Sequence, residues 1–317
     1  MKIVIAALLS DPFLRELRAE FPNVTFEEAP TPAVQKHHIR DADVFLGWPS
    51  REVFQAAERL RWVHCPGTGI DPIASVPELI SSNVVLTNAR GPHANPMADH
   101  VFWMILAFAH RDRELWEDQR AHRWVPRKYD GRMMELSGQT MGILALGDIG
   151  MAVARRAHGF GMAVYALDIR SIPTPPFVQE VWGPERLDEL LTLSDWFVVT
   201  APLTAKTKGL IDRRRIEYAK PGAHLIVISR GGIVDEDALI DALRSGRIAG
   251  AGLDAMACEP LPPDSPLWDM DNVILTPHSS ALTPEMWEGR RQIFKENLRR
   301  FLANEPFLYV CDKQAGF

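Results

Sequence analysis

Arg230, Glu259 and His278 are the side chains whose types and settings best suit gripping an anion and moving a proton. Arg230 closes the apolar run Leu225-Ile226-Val227-Ile228-Ser229 and precedes Gly231-Gly232. A guanidinium beside such flexible backbone can hold a carboxylate in bidentate fashion. His278 follows Leu275-Thr276-Pro277, and Glu259 precedes Pro260 in the loop after Leu253-Asp254-Ala255. An imidazole with a carboxylate partner suits proton transfer. Taken singly, each also has an ordinary reading: Arg230 as a surface ion pair, Glu259 as a solvated loop acid, His278 as a capped core histidine.

A second constellation lies upstream. Met141-Gly142-Ile143-Leu144-Ala145-Leu146-Gly147-Asp148-Ile149-Gly150 is a strand running into a glycine turn and a helix that continues through Ala152, Val153 and Ala154. The dinucleotide fingerprint uses three glycines, for the tight turn, for close approach to the pyrophosphate and for helix–strand packing. Ala145 occupies the first position, which is expected to need only a slightly different turn. Gly147 and Gly150 still allow backbone N–H groups at the helix start to face a phosphate. Asp168 ends the next apolar run, 18 residues after Gly150, and can accept hydrogen bonds from the adenosine ribose hydroxyls. This favours NAD(H); Arg170 could pair with a 2′-phosphate, which keeps NADP(H) possible. Without the strand, helix and spaced acid, the glycines would read as a tight turn with no ligand.

Elements that would position these groups follow from periodicity. Lys2–Leu9, Asp43–Trp48, Arg61–Cys65 and Val84–Asn88 read as strands separated by amphipathic pieces. From Thr140 the alternation becomes stricter: Met141–Leu146, Ala163–Asp168, Trp196–Ala201, Ala223–Ser229, Ala249–Ala255 and Val273–Pro277 are near-continuously apolar, as strands covered on both faces are. The expected class is α/β with parallel sheets. Asn95-Pro96 places an N-cap and a first-turn proline before a long helix expected to reach about His122. With Trp103, Trp116 and Trp124, that helix reads as an inter-domain strut or an oligomer contact. Trp48 and Trp124 either shape a pocket or belong to core or dimer contacts. Pro284–Ala303 reads as a helix that leaves the second domain and packs on the first, which would make the first discontinuous.

The chain has 317 residues, enough for two domains at ~150 residues each. Thirty-five Lys and Arg against 41 Asp and Glu leave a net charge of −6, which gives no sequence-wide cationic field for nucleic acid. Cys65, Cys258 and Cys311 are too few and too scattered for a disulfide framework or a Cys-rich zinc site, so a reducing, cytoplasmic setting and no metal site are expected. The opening apolar run ends at Leu9 with no small-residue cleavage site, so it reads as a strand rather than a signal peptide. No stretch approaches the ~20 apolar residues of a membrane span.

At this point the sequence resembles the D-isomer-specific 2-hydroxyacid dehydrogenase family, which includes glycerate, phosphoglycerate and D-lactate dehydrogenases and hydroxypyruvate/glyoxylate reductases. The resemblance covers nearly the whole chain. It is carried by Gly67-Thr68-Gly69-Ile70-Asp71, Ala145-Leu146-Gly147-Asp148-Ile149-Gly150, Ala201-Pro202-Leu203-Thr204-Ala205-Lys206-Thr207, Ser229-Arg230-Gly231-Gly232-Ile233-Val234-Asp235-Glu236, Leu253-Asp254-Ala255, Glu259-Pro260-Leu261-Pro262 and Thr276-Pro277-His278. Val227 stands where the family usually has asparagine, and Asp99 where a glutamate is common before His100.

The resemblance implies two Rossmann-like, doubly wound parallel-sheet domains, with an NAD-binding domain (residues 99–280) inserted into a substrate-binding one (1–98 and 281–317). It implies interconversion of a 2-oxoacid and a D-2-hydroxyacid by hydride transfer. In that scheme Arg230 binds the substrate carboxylate and carbonyl, His278 is the acid/base and Glu259 its partner. Thr68 and Gly69, with Arg230 and His278, would contact substrate. Gly147, Asp148, Ile149, Gly150, Asp168, Ile228, Arg230, Asp254, His278 and Ser280 would contact the cofactor, Asp254 through the nicotinamide carboxamide. A homodimer is expected. Competing readings are a dinucleotide-sensing regulatory protein of the same fold and a phosphite-type dehydrogenase; Glu259 argues against a formate enzyme, for which the resemblance implies glutamine.

Overall fold

The computed structural model describes every residue except Leu8, so the end of the expected Lys2–Leu9 strand lies partly outside the described residues. The chain divides into two compact units, Met1–His93 with Thr283–Phe317, and Ala94–Leu282. The divisions fall at 93/94 and 282/283, where the sequence placed them at 98/99 and 280/281. The first division shifts because the helix Ala94–Ala109 buries Met97, Ala98 and Val101 in the second unit's core, and its first turn goes with them.

The first unit holds β1 (Lys2–Ile5), β2 (Thr25–Glu28), β3 (Val44–Leu46), β4 (Trp62–Cys65) and β5 (Val85–Asn88). They form one parallel sheet in the order β2-β1-β3-β4-β5. β2 has no counterpart among the expected strands: Thr-Phe-Glu-Glu is an edge strand that buries only Phe26, so it carries no apolar run. The terminal helix Pro284–Ala303, capped by Thr283 Oγ1, occupies the expected residues. Its Phe294 and Leu298 pack with Ile3, Leu17 and Trp62, and Arg291 donates to Ser10 at 3.1 Å. Lys295 is enclosed by Glu16 and Glu20.

The second unit holds β6 (Thr140–Leu144), β7 (Ala163–Leu167), β8 (Glu180–Trp182), β9 (Trp196–Val199), β10 (Ala223–Val227), β11 (Ile248–Leu253) and β12 (Val273–Leu275). All pair in parallel, in the order β12-β11-β10-β9-β6-β7-β8. The short edge strand β8 was not legible as an apolar run. Winding reverses between β6 and β9, the position at which doubly wound sheets bind ligands at their carboxyl ends. Helices cover both faces in two apolar clusters, one around Leu190, Leu225 and Leu239, the other around Ile105, Val153 and Val198.

One expected element is corrected. The long helix towards His122 is two helices, Ala94–Ala109 and Asp112–Arg120, broken at Arg111, whose φ of 59° is left-handed. Arg111 pairs with Glu114, and Asp112 and Glu114 place negative charge in the first turn of the new helix. Asn95 lies inside the first helix, not at its cap, and its Oδ1 accepts from Arg156 at 3.5 Å.

Candidate active site and cofactor cradle

The catalytic candidates stand just beyond the carboxyl ends of β10, β11 and β12. Arg230 follows β10, and its Nη1 donates to the Ser229 carbonyl at 2.8 Å. Gly231 beside it lies against the Met256–Ala257 backbone, where a Cβ would collide. The Met256 N–H donates to Glu259 Oε1 at 3.0 Å, and Glu259 Oε2 is 2.9 Å from His278 Nδ1. Because an ionised carboxylate only accepts, Nδ1 carries the proton in this pair. His278 and Glu259 are both substantially exposed.

His278 has φ of 52°, a left-handed conformation that a histidine holds only if its surroundings impose it. Asp254, fully buried after β11, imposes it. Asp254 Oδ1 accepts from Thr276 Oγ1 at 2.6 Å and from the Ser279 N–H at 2.9 Å, and Oδ2 accepts from the Ser280 N–H at 3.2 Å. Those donors bracket His278 on both sides. His100 Nε2 lies 3.0 Å from Thr276 Oγ1; since the Thr276 proton goes to Asp254, His100 donates. Burial holds the His100 imidazole below its ordinary pKa against the pull of the Asp254 charge. Thr276 and His100 were not singled out as site residues in the sequence; the signal available was a hydroxyl at a strand end two residues before the histidine.

The glycine turn is built more tightly than its sequence suggests. Ala145 has φ of 79°, so the expectation of a slightly different turn is corrected: the alanine adopts the left-handed backbone that a glycine would favour. Thr200 Oγ1 donates to the carbonyl oxygens of Ala145 at 2.6 Å and Leu144 at 3.0 Å, holding the turn from β9. Gly150 is required, because a Cβ there would meet the Ala145 carbonyl. Gly147 has open space where its Cβ would be. The helix Asp148–Gly159 makes its first backbone hydrogen bond from Met151 to the Gly147 carbonyl at 2.8 Å. The Asp148, Ile149 and Gly150 N–H groups are therefore left at the positive end of the helix dipole. This cradle fits a pyrophosphate.

Asp168, 7 % exposed, lies beside it. Its Oδ2 accepts from the Leu146 N–H at 3.0 Å, and Arg170 engages it through its backbone N–H at 2.9 Å, Nε at 2.9 Å and Nη2 at 3.1 Å. Burial would raise the Asp168 carboxyl, but the Arg170 side-chain and backbone hydrogen bonds and charge, with the Leu146 N–H, hold it below the usual carboxylate value. Ile228 is buried, its N–H bonded to the Val199 carbonyl at 3.3 Å. Ser280 is fixed through its N–H by Asp254. Ser229, also buried, has a hydroxyl without a partner among the described residues.

Thr68 and Gly69 belong to the first unit. The Thr68 carbonyl accepts from Asn88 Nδ2 at 2.6 Å, and Trp48 Nε1 reaches the Gly69 carbonyl at 3.4 Å. Trp48 packs on the turn closely enough that a Cβ on Gly67 would stand 3.1 Å from its ring. Trp124, in contrast, is 95 % exposed. Among the described residues the cysteines are free, no cluster of His, Cys, Asp and Glu is placed to hold a metal, and no helix is long and apolar enough to cross a membrane.

A doubly wound parallel sheet with a glycine cradle at its switch point, and an arginine and a carboxylate–imidazole pair at its strand ends, defines a dinucleotide-dependent α/β oxidoreductase. The chain belongs to the D-isomer specific 2-hydroxyacid dehydrogenase family, whose NAD-binding-domain model matches residues 102–280. It is 36% identical over 289 residues to a glyoxylate reductase of Korarchaeum cryptofilum, covering 88% of this chain and 85% of that one. A D-isomer specific 2-hydroxyacid dehydrogenase of Xanthobacter autotrophicus, solved with NADPH and MES, superposes with a TM-score of 0.84 at 30% identity, covering 100% of this chain and 99% of that one. An NADPH-dependent glyoxylate/hydroxypyruvate reductase of Sinorhizobium meliloti, solved with NADP and sulfate, gives 0.86 at 26% identity, covering 100% and 99%. The chain is an oxidoreductase acting on CH–OH groups with a nicotinamide dinucleotide.

Proposed function

We propose that this chain reduces a 2-oxoacid to the D-2-hydroxyacid, with NAD(H) preferred over NADP(H). The observation that carries the reading is the 2.9 Å bond between His278 and Glu259 on a turn pinned by buried Asp254. The bound nicotinamide supplies the hydride to the carbonyl carbon. Arg230 holds the substrate carboxylate and carbonyl oxygen and offsets the charge that develops on that oxygen. His278 delivers a proton from Nε2 while Glu259 keeps Nδ1–H in place. Thr68 and Gly69 offer backbone N–H groups to a substrate carboxylate. Gly147, Asp148, Ile149 and Gly150 would hold the pyrophosphate, Asp168 would meet the ribose hydroxyls, and Ile228, Asp254 and Ser280, with Arg230 and His278, would contact the nicotinamide end. The preference for NAD(H) rests on Asp168, an anion where a 2′-phosphate would have to sit.

Glyoxylate, hydroxypyruvate, pyruvate and bulkier branched or aromatic 2-oxoacids, each with NADH and with NADPH, test this directly. Saturable NADH oxidation yielding the D-product is expected. No oxidation with any of them would overturn the reading. We infer self-association as well, because Trp103, Trp116 and Trp124 are all exposed on one unit; light scattering should return twice the chain mass, and a monomer at micromolar concentration would refute it.

A further inference from the structure

The first unit contains a cavity of about 50 Å³, mostly apolar in its lining, that the reaction scheme above does not use. It lies between the helix Pro284–Ala303 and the carboxyl ends of β1, β3 and β4, lined by Leu46, His64, Pro66, Trp287, Arg290 and Phe294 among others. A sheet in the order β2-β1-β3-β4-β5 reverses its winding between β1 and β3, the place where such sheets receive ligands. A single water needs roughly 10–15 Å³, so the space suits a group of several heavy atoms.

Two side chains that line it, His64 and Arg290, have donors with no oxygen or nitrogen acceptor among the described residues. Trp62 Nε1 donates to Thr87 Oγ1 at 2.8 Å, and Thr87 Oγ1 lies 2.8 Å from His64 Nδ1. The Thr87 hydroxyl has no other acceptor among the described residues, so its proton goes to Nδ1, which assigns the His64 ring proton to Nε2. His64 is wholly buried, and Nε2 has no partner among the described residues. Burial, with the nearby Arg290 charge, pushes the imidazole down to about 3, so it stays a neutral N–H donor. Arg290 is half-buried over the Trp287 ring, 4.5 Å from its centroid, and among the described residues its Nη1 reaches only Met286 Sδ, at 4.0 Å. No carboxylate pairs with Arg290 among the described residues, and none lines the cavity. Arg291, by contrast, is satisfied by Ser10 and Glu288.

We propose that this cavity is a carboxylate subsite, in which His64 Nε2–H and the Arg290 guanidinium bind the distal carboxylate of a 2-oxodicarboxylic acid. Its 2-oxoacid end would lie by Thr68 and Gly69, just beyond Pro66. This rests on the 2-oxoacid reductase reading above. An apolar substrate tail would leave a half-buried cation and a buried N–H without an acceptor, whereas a carboxylate answers both. The same chemistry could be met by a separate small carboxylate ion, and the experiment divides the two.

Malonate is titrated into the full-length chain carrying ¹⁵N-labelled histidine rings, with the His64 Nε2–H resonance observed. A saturable downfield shift is expected, lost in Arg290→Met and partly kept in Arg290→Lys, both checked for native circular dichroism. In parallel, kcat/KM for 2-oxoglutarate relative to 2-oxopentanoate is measured in all three proteins. That ratio should fall about 10- to 100-fold in Arg290→Met and recover in part in Arg290→Lys. A malonate shift with a ratio that does not change would assign the cavity to a free anion and overturn its role in substrate selection. Absence of any shift would overturn the site. A normal shift with no NADH oxidation by any 2-oxoacid would refute the reductase reading and leave the anion site standing.

Discussion

Glu259 joins His278 to the loop after β11: its Oε2 lies 2.9 Å from His278 Nδ1 while Oε1 accepts the Met256 N–H at 3.0 Å. The carboxylate is held at one oxygen by backbone, so the other can orient the imidazole. Replacing His278 by asparagine should lower turnover roughly 10²–10⁴-fold with NADH affinity, read by fluorescence quenching, largely kept. Glu259→Gln should cost turnover too, because its single carbonyl oxygen can answer the Met256 N–H or His278 Nδ1–H but not both, and with the oxygen kept on Met256 the amide NH2 faces Nδ1 and favours the other tautomer. Wild-type turnover in either variant would remove this pair from the mechanism.

Arg170 grips Asp168 through both of its oxygens. Asp168→Ala should release the guanidinium to a 2′-phosphate and move the NADPH/NADH ratio of kcat/KM upward by roughly tenfold or more, the worth of a charged hydrogen bond. It should also lower the melting temperature, since the Leu146 N–H loses its acceptor. An unchanged cofactor ratio would show that Asp168 does not set the preference.

At the glycine turn, two opposite substitutions should have opposite signs. Ala145→Gly relieves a left-handed alanine worth about 1–2 kcal/mol, offset by about 0.4–1 kcal/mol of added chain freedom. A net gain of between zero and about 1.6 kcal/mol is expected in urea unfolding. Gly150→Ala drives a methyl into the Ala145 carbonyl and should displace the helix start, with loss of NADH binding in calorimetry.

His224 supplies a pH dependence of stability. It is buried, stacked on Trp196 at 4.3 Å, and burial with the Arg111 charge pushes it down to about 4. Below pH ~6.5 the unfolded chain takes up a proton that the folded chain refuses until about pH 4. Stability should therefore fall as pH drops through this window, by ~3 kcal/mol from His224 at pH 4. His224→Phe should flatten that slope in urea midpoints measured from pH 7 to 4; an identical slope would exclude His224 as its source.

Much of this protein is determined locally and can be read from its sequence. The strand cores, the terminal helix, the glycine turn and the Arg230, Glu259 and His278 set are carried by apolar runs and short motifs, because their spacing depends on neighbours along the chain. The edge strands β2 and β8 escape such reading because an edge strand buries too few side chains to leave a pattern. Arg111 breaks a helix that periodicity continues, because a left-handed residue leaves no mark on apolar spacing. What only the tertiary structure decides is which distant groups meet: Asp254 with Thr276 and Ser279, Thr200 with Ala145, and His64 with the cavity that Arg290 closes from the far end of the chain. Those pairings arise when parallel strands bring residues far apart in sequence to one sheet edge. There burial strips water from a polar group and makes its partner matter.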